Sequence, residues 1–141
     1  MNISMDTTEL RRFKEKLENI STDELLKDIA GDLAARLLRK VKRGKRTPVD
    51  TGELRRNWQV SKIRLFDKFC VVEVYNATEY AEYVEFGHRQ TPGRYVPAIG
   101  KRLKKAWVPG KFMLTLSAKE LENMKDRIVR RKVEEWLKEV F

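Results

Sequence analysis

The chain has 141 residues and a formal net charge of +10, with 41% apolar and 37% charged residues. This length predicts a single domain, residues 1–141, with a core of its own, and no apolar run approaches the roughly 20 residues that a membrane span needs. The first residues lack a signal peptide's charged and apolar regions, and a single cysteine, Cys70, excludes an internal disulfide. We therefore expect a protein that starts in the cytoplasm and has no membrane partner.

Two helices are predicted in the first third of the chain. Apolar residues recur at three- and four-residue spacing over residues 6–20, which favours a short helix with a narrow apolar stripe. Ser21 and Glu24 form a capping-box pattern that begins a second helix over 21–44, with Gly44 as its expected stop. Seven Lys and Arg stand against one Asp in residues 31–47, mostly near the end of this helix, where cations suit its dipole.

Residues 47–58 predict a turn that leads into a short helix. Pro48 stops the preceding helix and biases the residue before it away from the α region. Asp50 can cap a new helical turn, with Glu53 in the place of the reciprocal acid. Gly52 lets another backbone come close because it has no Cβ.

Residues 58–65 and 69–75 predict two strands of a hairpin. The second segment is apolar on both faces, which favours a strand in the centre of its sheet. A short helix is then predicted over 79–86, after Asn76 ends the strand. It carries three acidic residues three apart: Glu79, Glu82 and Glu85. Such a ridge could hold an acid/base pair, although a solvated helix face is the more common structure.

The last third of the chain predicts an extended basic arm, residues 88–112, followed by a helix. The 34 residues between Glu85 and Glu120 contain eight Lys and Arg and no acid. Because proline confines strands to sheet edges, segments 95–99 and 106–108 could be short edge strands. Ser117 with Glu120 forms another capping-box pattern, which predicts a C-terminal helix over 117–141.

The predicted elements indicate an α+β fold in which a small antiparallel sheet packs against two long helices, the second and the C-terminal one. His88 is the only histidine, which together with the single cysteine excludes a structural zinc site in practice. The chain has no phosphate-binding glycine motif and no nucleophile elbow. We therefore expect no catalytic residue, no metal and no cofactor, and a protein that is not an enzyme.

Two separated motifs resemble a known family. The first is PVDTGELR at residues 48–55; the second comprises VYN at 74–76, Tyr80-Ala81 and YVEFGHR at 83–89. In this order they resemble the minor tail-component family of lambda-like tailed bacteriophages and prophages, also described as head–tail joining or tail-completion proteins. Residues 107–117 are similar to the C-terminal part of members from Gram-positive prophages, so the resemblance covers roughly residues 20–141.

The resemblance implies a structural protein of the virion neck, between the head-closure ring and the tail terminator, made in the host cytoplasm. Family members are thought to form multi-subunit rings around the DNA channel. This implies self-association into a hexamer-like ring, with a monomer as the isolated form. The signature residues are structural by the same resemblance, and Tyr83, Glu85 and Phe86 are also candidates for contact with a neighbouring subunit. The signature positions are Pro48, Asp50, Thr51, Gly52, Leu54, Asn76, Tyr80, Ala81, Tyr83, Glu85, Phe86 and Gly87.

The two basic segments are candidates for contact with partner rings or with genomic DNA. A ring around a polyanion needs positive or neutral walls, and edge strands can extend another subunit's sheet. The candidate residues are Arg39, Lys40, Lys42, Arg43, Lys45, Arg46, Arg89, Arg94, Lys101, Arg102, Lys104, Lys105 and Trp107.

A stand-alone nucleic-acid-binding module is the alternative interpretation. It would place the same cations on phosphates, with Trp107 or Tyr95 as stacking platforms. A small phage enzyme such as a nuclease is a third interpretation, which the missing histidines and metal motifs disfavour.

Overall fold

The computed structural model describes the chain except residues 1–3, 5, 44, 50, 51 and 68. The helices in the described part are α1 (Thr8–Asn19), α2 (Asp23–Arg43), α3 (Glu53–Arg56), α4 (Ala81–Phe86) and α5 (Met113–Val140). The strands are β1 (Trp58–Val60), β2 (Arg64–Leu65), β3 (Cys70–Val71), β4 (Val74–Asn76), β5 (Gly87–Arg89), β6 (Tyr95–Val96), β7 (Lys101–Arg102) and β8 (Trp107–Pro109). The predicted α+β class is confirmed.

The long helices α2 and α5 pack along each other, and α2 also packs against β1, β3 and β4. Leu121 and Ile128 on α5 are buried, as are Ala34 and Val41 on α2. Val41, Leu121 and Ile128 lie on the apolar stripes that three- and four-residue spacing predicts for these two helices, whereas Ala34 is a buried position outside the predicted stripe. The expected stop of α2 at Gly44 lies outside the described residues, one position after the observed end of the helix.

A small buried cluster joins the elements around the first motif. It consists of Val41, Leu54, Trp58, Ala81 and Met113, which come from α2, α3, β1, α4 and α5. If one of these five elements moved away from the cluster, the buried side chains of the other four would lose apolar contacts.

The first β-hairpin is interrupted by a bulge. β1 pairs with β4 and β2 pairs with β3, both antiparallel, but three residues (61–63) stand opposite two (72–73) between the paired segments. Ser61 spans this gap, because its N–H donates to the carbonyl of Glu73 and its Oγ accepts the N–H of Glu73, both at 2.8 Å. A bulge of this kind bends the strands and increases their twist.

The prediction of a central strand in this sheet was wrong. The sheets of the described part are two-stranded, and the hairpin packs against α2. Phe69 and Tyr75 remain 56% and 42% exposed. The second strand is apolar on both sides, yet this chain covers only one of them.

The predicted arm is a second β-hairpin, and we call residues 87–109 the basic hairpin. β5 pairs with β8 and β6 with β7. Backbone bonds between these pairs, from Gln90 N–H to Ala106 O at 3.0 Å and from Gly93 N–H to Leu103 O at 2.7 Å, continue the ladder. The strand predicted over 95–99 is shorter than expected, since residues 97–100 form the turn at the tip.

Helix α5 begins at Met113, four residues before the predicted start. Ser117 is therefore inside the helix and fully buried, so the capping-box interpretation of Ser117 and Glu120 was wrong. Glu120 instead forms ion pairs with Arg46 and Lys40. The residue before the helix, Phe112, has a left-handed backbone with φ 49°, an unusual conformation for a bulky side chain.

Candidate functional site

The carboxylate of Glu85 caps helix α5 from the end of α4. It accepts hydrogen bonds from the N–H of Leu114 at 3.0 Å and from the N–H and hydroxyl of Thr115 at 2.8 and 2.6 Å. A helix N-terminus has unpaired N–H groups and a partial positive charge, so a carboxylate there is favourable. This explains why Glu85 can be 93% buried, with only 7% of its surface exposed.

Backbone contacts close the same junction, which we call the clasp (residues 84–87 with 110–115). The N–H of Lys111 donates to the carbonyl of Val84 at 2.7 Å, and the N–H of Phe112 donates to that of Glu85 at 3.0 Å. A Cβ on Gly110 would lie 2.3 Å from the carbonyl oxygen of Glu85. The two chain segments can therefore come this close only because position 110 has no side chain.

Gly87 is required on the opposite side of the clasp. Its φ of +85° is a conformation that side chains disfavour, and a Cβ there would lie 2.5 Å from the carbonyl oxygen of Val108. Because Gly87 is also the first residue of β5, the clasp holds the base of the basic hairpin directly against α4.

The acidic ridge of α4 is divided between two roles. Glu79, which lies two residues before the start of α4, and Glu82 on α4 are exposed, whereas Glu85 is buried in the clasp. The interpretation of the whole ridge as a solvated face was therefore wrong for Glu85.

The second motif is joined to the first by polar contacts. The Nδ2 of Asn76 donates to the carbonyl of Leu54 at 2.7 Å, and its Oδ1 accepts the N–H of Thr78 at 3.0 Å. The hydroxyl of Tyr80 lies 3.3 Å from the carboxylate of Glu53. These contacts link α3, the end of β4 and the start of α4, where the two motifs lie.

The remaining signature residues fall into four groups. Leu54 and Ala81 lie in the buried cluster, and Gly52 has a left-handed backbone with φ +80°. Pro48 is exposed. Asp50 and Thr51, with the predicted cap at Asp50, lie outside the described residues.

An aromatic surface lies beside the clasp. Tyr83 and Phe86 on α4, Trp107 on β8 and Phe112 are all exposed, and the rings of Phe86 and Phe112 meet edge to face at 6.5 Å. Several exposed aromatic side chains close together are typical of a protein–protein contact surface. That Tyr83 and Phe86 contact a neighbouring subunit stays a prediction.

An open groove of about 290 Å³ lies between the first hairpin, α4 and the first turn of α5. Its lining is mostly apolar, and the exposed Glu82 stands at its side. The apolar and aromatic lining residues are Trp58, Val74, Tyr75, Ala81, Phe86, Met113 and Leu114.

The structure divides the basic candidates between α2 with the turn after it and the basic hairpin. On the hairpin all six cations and Trp107 are exposed, and Arg102 donates to the carbonyl of Gly93 at 2.8 Å. At the end of α2, Arg39, Arg43 and Lys45 are exposed and Lys42 is half-buried.

Two of the predicted partner-facing cations already have a partner within the chain. The carboxylate of Glu120 accepts hydrogen bonds from Arg46 and, at 3.4 Å, from Lys40. The bond from Arg46 is the main cause that lowers the pKa of Glu120, and it raises the pKa of Arg46. Arg46 and Lys40 therefore fasten the end of α2 to α5, which gives both a structural reason to be basic.

No group of three or more His, Cys, Asp and Glu residues in the described part could hold a metal ion. In the same part of the chain, no helix is long and apolar enough to cross a membrane.

Comparison with protein families matches residues 8–87, more than half of the chain, to the family described as "Bacteriophage HK97-gp10, putative tail-component". Comparisons with curated proteins and with solved structures found no match. The matched region contains both halves of the contact between the motifs and ends at Gly87, the first residue of the basic hairpin. The chain belongs to the HK97 gp10-like family of bacteriophage tail components.

Proposed function

We propose that this structural tail protein acts in the virion neck, where a ring of its copies joins the head-closure ring to the tail. Membership in a phage tail-component family supports a structural role in the virion and contact with other virion proteins. Our proposal adds three points to this: the position in the neck, the ring, and the head-closure and tail-terminator proteins as partners. We further propose that the protein has no enzymatic activity of its own.

The observation that carries the proposal is the basic hairpin held at its base by the clasp. Within the described chain it is a two-stranded sheet, and both of its outer edges can accept a further strand. Most of its side chains are exposed, including the aromatic Tyr95 and Trp107. A hairpin that is fixed at one end and largely exposed elsewhere is suited to contact with another subunit.

Uncovered apolar surface elsewhere supports an assembled form. On α1, Leu10, Phe13 and Leu17 are exposed, and none of the residues of this helix is buried. On the first hairpin, Phe66 and Phe69 are exposed and stack at 4.8 Å. Apolar patches of this kind on a single chain mark sites of association.

Light scattering across a range of protein concentrations tests the proposal, first with the chain alone and then with the neighbouring neck and tail proteins. We expect a ring-sized particle in at least one of these mixtures, visible as a closed ring by electron microscopy. A chain that remains monomeric and binds none of these proteins would overturn the proposed function.

The alternative function, a nucleic-acid-binding module, is favoured by one feature of the same hairpin. It carries six Lys and Arg, no acid and two exposed aromatic side chains, which is a suitable surface for phosphates and stacked bases. Binding to free duplex DNA that weakens steeply with salt, in a chain that does not assemble, would favour this alternative.

A further inference from the structure

We propose that the tip of the basic hairpin of one copy docks into the apolar groove beside α4 of the next copy. The inference rests on the proposed ring, for which it names the contact between subunits. Its two halves are the hairpin tip, residues 95–102, and the groove lined by Trp58, Val74, Ala81, Glu82, Phe86 and Leu114.

The hairpin tip combines apolar side chains with positive charge. Tyr95 is 53% exposed, and Ile99, a residue type that is usually buried, is 59% exposed. Lys101 and Arg102 pair with Val96 and Tyr95 across the ladder, so the cations stand beside the apolar residues. A partner surface for this tip needs an apolar floor and negative charge.

The groove offers both properties. Its lining is mostly apolar, and Glu82 stands at its side on the exposed face of α4, one turn after the exposed Glu79. Residues 48–85, which include most of the groove, carry seven acidic against five basic residues, whereas the hairpin carries six basic residues and no acid. The two surfaces are therefore complementary in charge as well as in polarity.

The clasp excludes the groove of the same chain as the docking site. Glu85 and Phe86 belong to the lining of the groove, and Gly87 begins the hairpin, so the hairpin starts beside its own groove. Its strands run from Arg89 to the turn at Pro97, which is about 25 Å in extended conformation. The tip is therefore carried away from its own groove and reaches that of a neighbour.

A pairing of two hairpin tips is disfavoured by their charge, since all the charged residues of each tip are basic. The remaining arrangement is head to tail, in which every copy offers one tip and one groove. Repetition of such a contact closes into a ring when the rotation between neighbours divides a full turn.

Charge reversal tests the contact in the full chain, under the conditions where the wild-type protein assembles. We expect Glu82→Lys and Lys101→Glu each to raise the concentration for half-assembly by about tenfold, and the double variant to recover most of the loss. Glu134→Lys is the matched control, because it makes the same change at an exposed position of α5 about 30 Å along the helix from Leu114. Thermal unfolding of each variant checks that the fold is retained.

Disulfide trapping tests the same contact by geometry, in a Cys70→Ala background. We expect a mixture of Ile99→Cys chains and Glu82→Cys chains to form a mixed dimer on mild oxidation, and each variant alone to form far less dimer. Crosslinks between two Ile99→Cys chains, or crosslinks only to a neck partner protein, would overturn the inference. Unchanged assembly in the charge-reversed variants, or no recovery in the double variant, would also overturn it.

The two proposals fail in different ways. If the wild-type chain assembles with none of its neighbours, the proposed function fails and this inference fails with it. If the wild-type chain forms rings, but charge reversal does not weaken their assembly and disulfide trapping does not give the mixed dimer, only the inference fails. Loss of DNA binding in Lys101→Glu chains that remain monomeric would favour the nucleic-acid alternative.

Discussion

The carboxylate of Glu85 accepts both the N–H and the hydroxyl of Thr115, at 2.8 and 2.6 Å, and so joins the last turn of α4 to the first turn of α5. Thirty residues separate the two in sequence, and the whole basic hairpin lies between them. The family match ends at Gly87, so one half of this contact lies inside the matched region and the other half lies beyond it.

Loss of the Glu85 carboxylate should destabilise the protein strongly. In Glu85→Ala the N–H groups of Leu114 and Thr115 lose their acceptor in a partly buried position, so we expect the free energy of unfolding to fall by about 2 kcal/mol. Glu85→Gln keeps an acceptor without the charge and should cost about 1 kcal/mol. Urea unfolding followed by circular dichroism measures both, with Glu82→Ala as the exposed control. Equal stabilities of the Glu85→Ala and Glu82→Ala variants would contradict the capping role.

Two glycines with the same φ differ in how crowded their surroundings are. Gly87 and Gly93 both have φ +85°, but a Cβ at Gly87 meets backbone atoms within 3 Å, whereas one at Gly93 meets nothing within 4 Å. Gly93→Ala should cost only the conformational strain, about 1–2 kcal/mol. Gly87→Ala should cost about 2 kcal/mol more, because its ψ of 173° belongs to a region that essentially only glycine adopts and because the clasp must open to admit the side chain. Similar unfolding midpoints for the two variants would show that the clasp is not tightly packed.

Stability should depend on pH through Glu120. Its hydrogen bonds to Arg46 and Lys40 hold its pKa below the ordinary value of 4.5, so ionised Glu120 stabilises the folded state above that pH. The contribution is lost as the pH falls through the lowered pKa. We expect Glu120→Gln to unfold at lower urea than the wild type at pH 7, and we expect this difference to be smaller at pH 3.

The exposed Glu122 on the same helix provides the control for this pH dependence. Glu122→Gln should follow the wild type at both pH values. High salt at pH 7 should narrow the gap between wild type and Glu120→Gln, since the ion pair is partly exposed.

The N-terminal helix should contribute little to the stability of the single chain. Phe13 contacts the ring of Phe141 at 4.9 Å, but no residue of α1 is buried. We expect Phe13→Ala to cost about 0.5–1 kcal/mol and Trp58→Ala, in the buried cluster, about 3–5 kcal/mol. A comparison of urea midpoints tests the difference, and comparable losses would mean that α1 belongs to the core.

Periodicity predicted the elements whose interactions are local or repeated along one face. The stripe of α2 and the later part of α5 follow from residues three and four apart, and the signals near Pro48 and Asn76 place the boundaries of α3 and β4 correctly to within a few residues. These features depend on the neighbours of each residue in the chain, which a single sequence contains.

Contacts between distant segments could not be predicted in the same way. The start of α5 was placed at Ser117 because the capping-box pattern searches only the next few residues, whereas the actual cap, Glu85, comes from another helix. The Glu79, Glu82 and Glu85 series gave no indication of which carboxylate is buried. The close pair Gly87 and Gly110 was the available signal, since glycines at both ends of a paired segment are typical of a close backbone approach.

The central strand was overestimated for a related reason. Apolar residues on both faces predict that both faces are covered, but a sequence does not say whether the cover comes from the same chain. Here α2 covers one side of the first hairpin, and Phe69 and Tyr75 remain exposed.

The clasp fixes the base of the basic hairpin to α4 and α5. The direction in which the hairpin projects therefore depends on packing in the protein core. A tilt of only 5° at the base would move the tip by about 2 Å at the end of a 25 Å lever arm. A substitution in the buried cluster around Met113 could therefore leave the chain folded and still misdirect the tip. Such a variant would be stable as a monomer and defective only at the moment when two copies must meet.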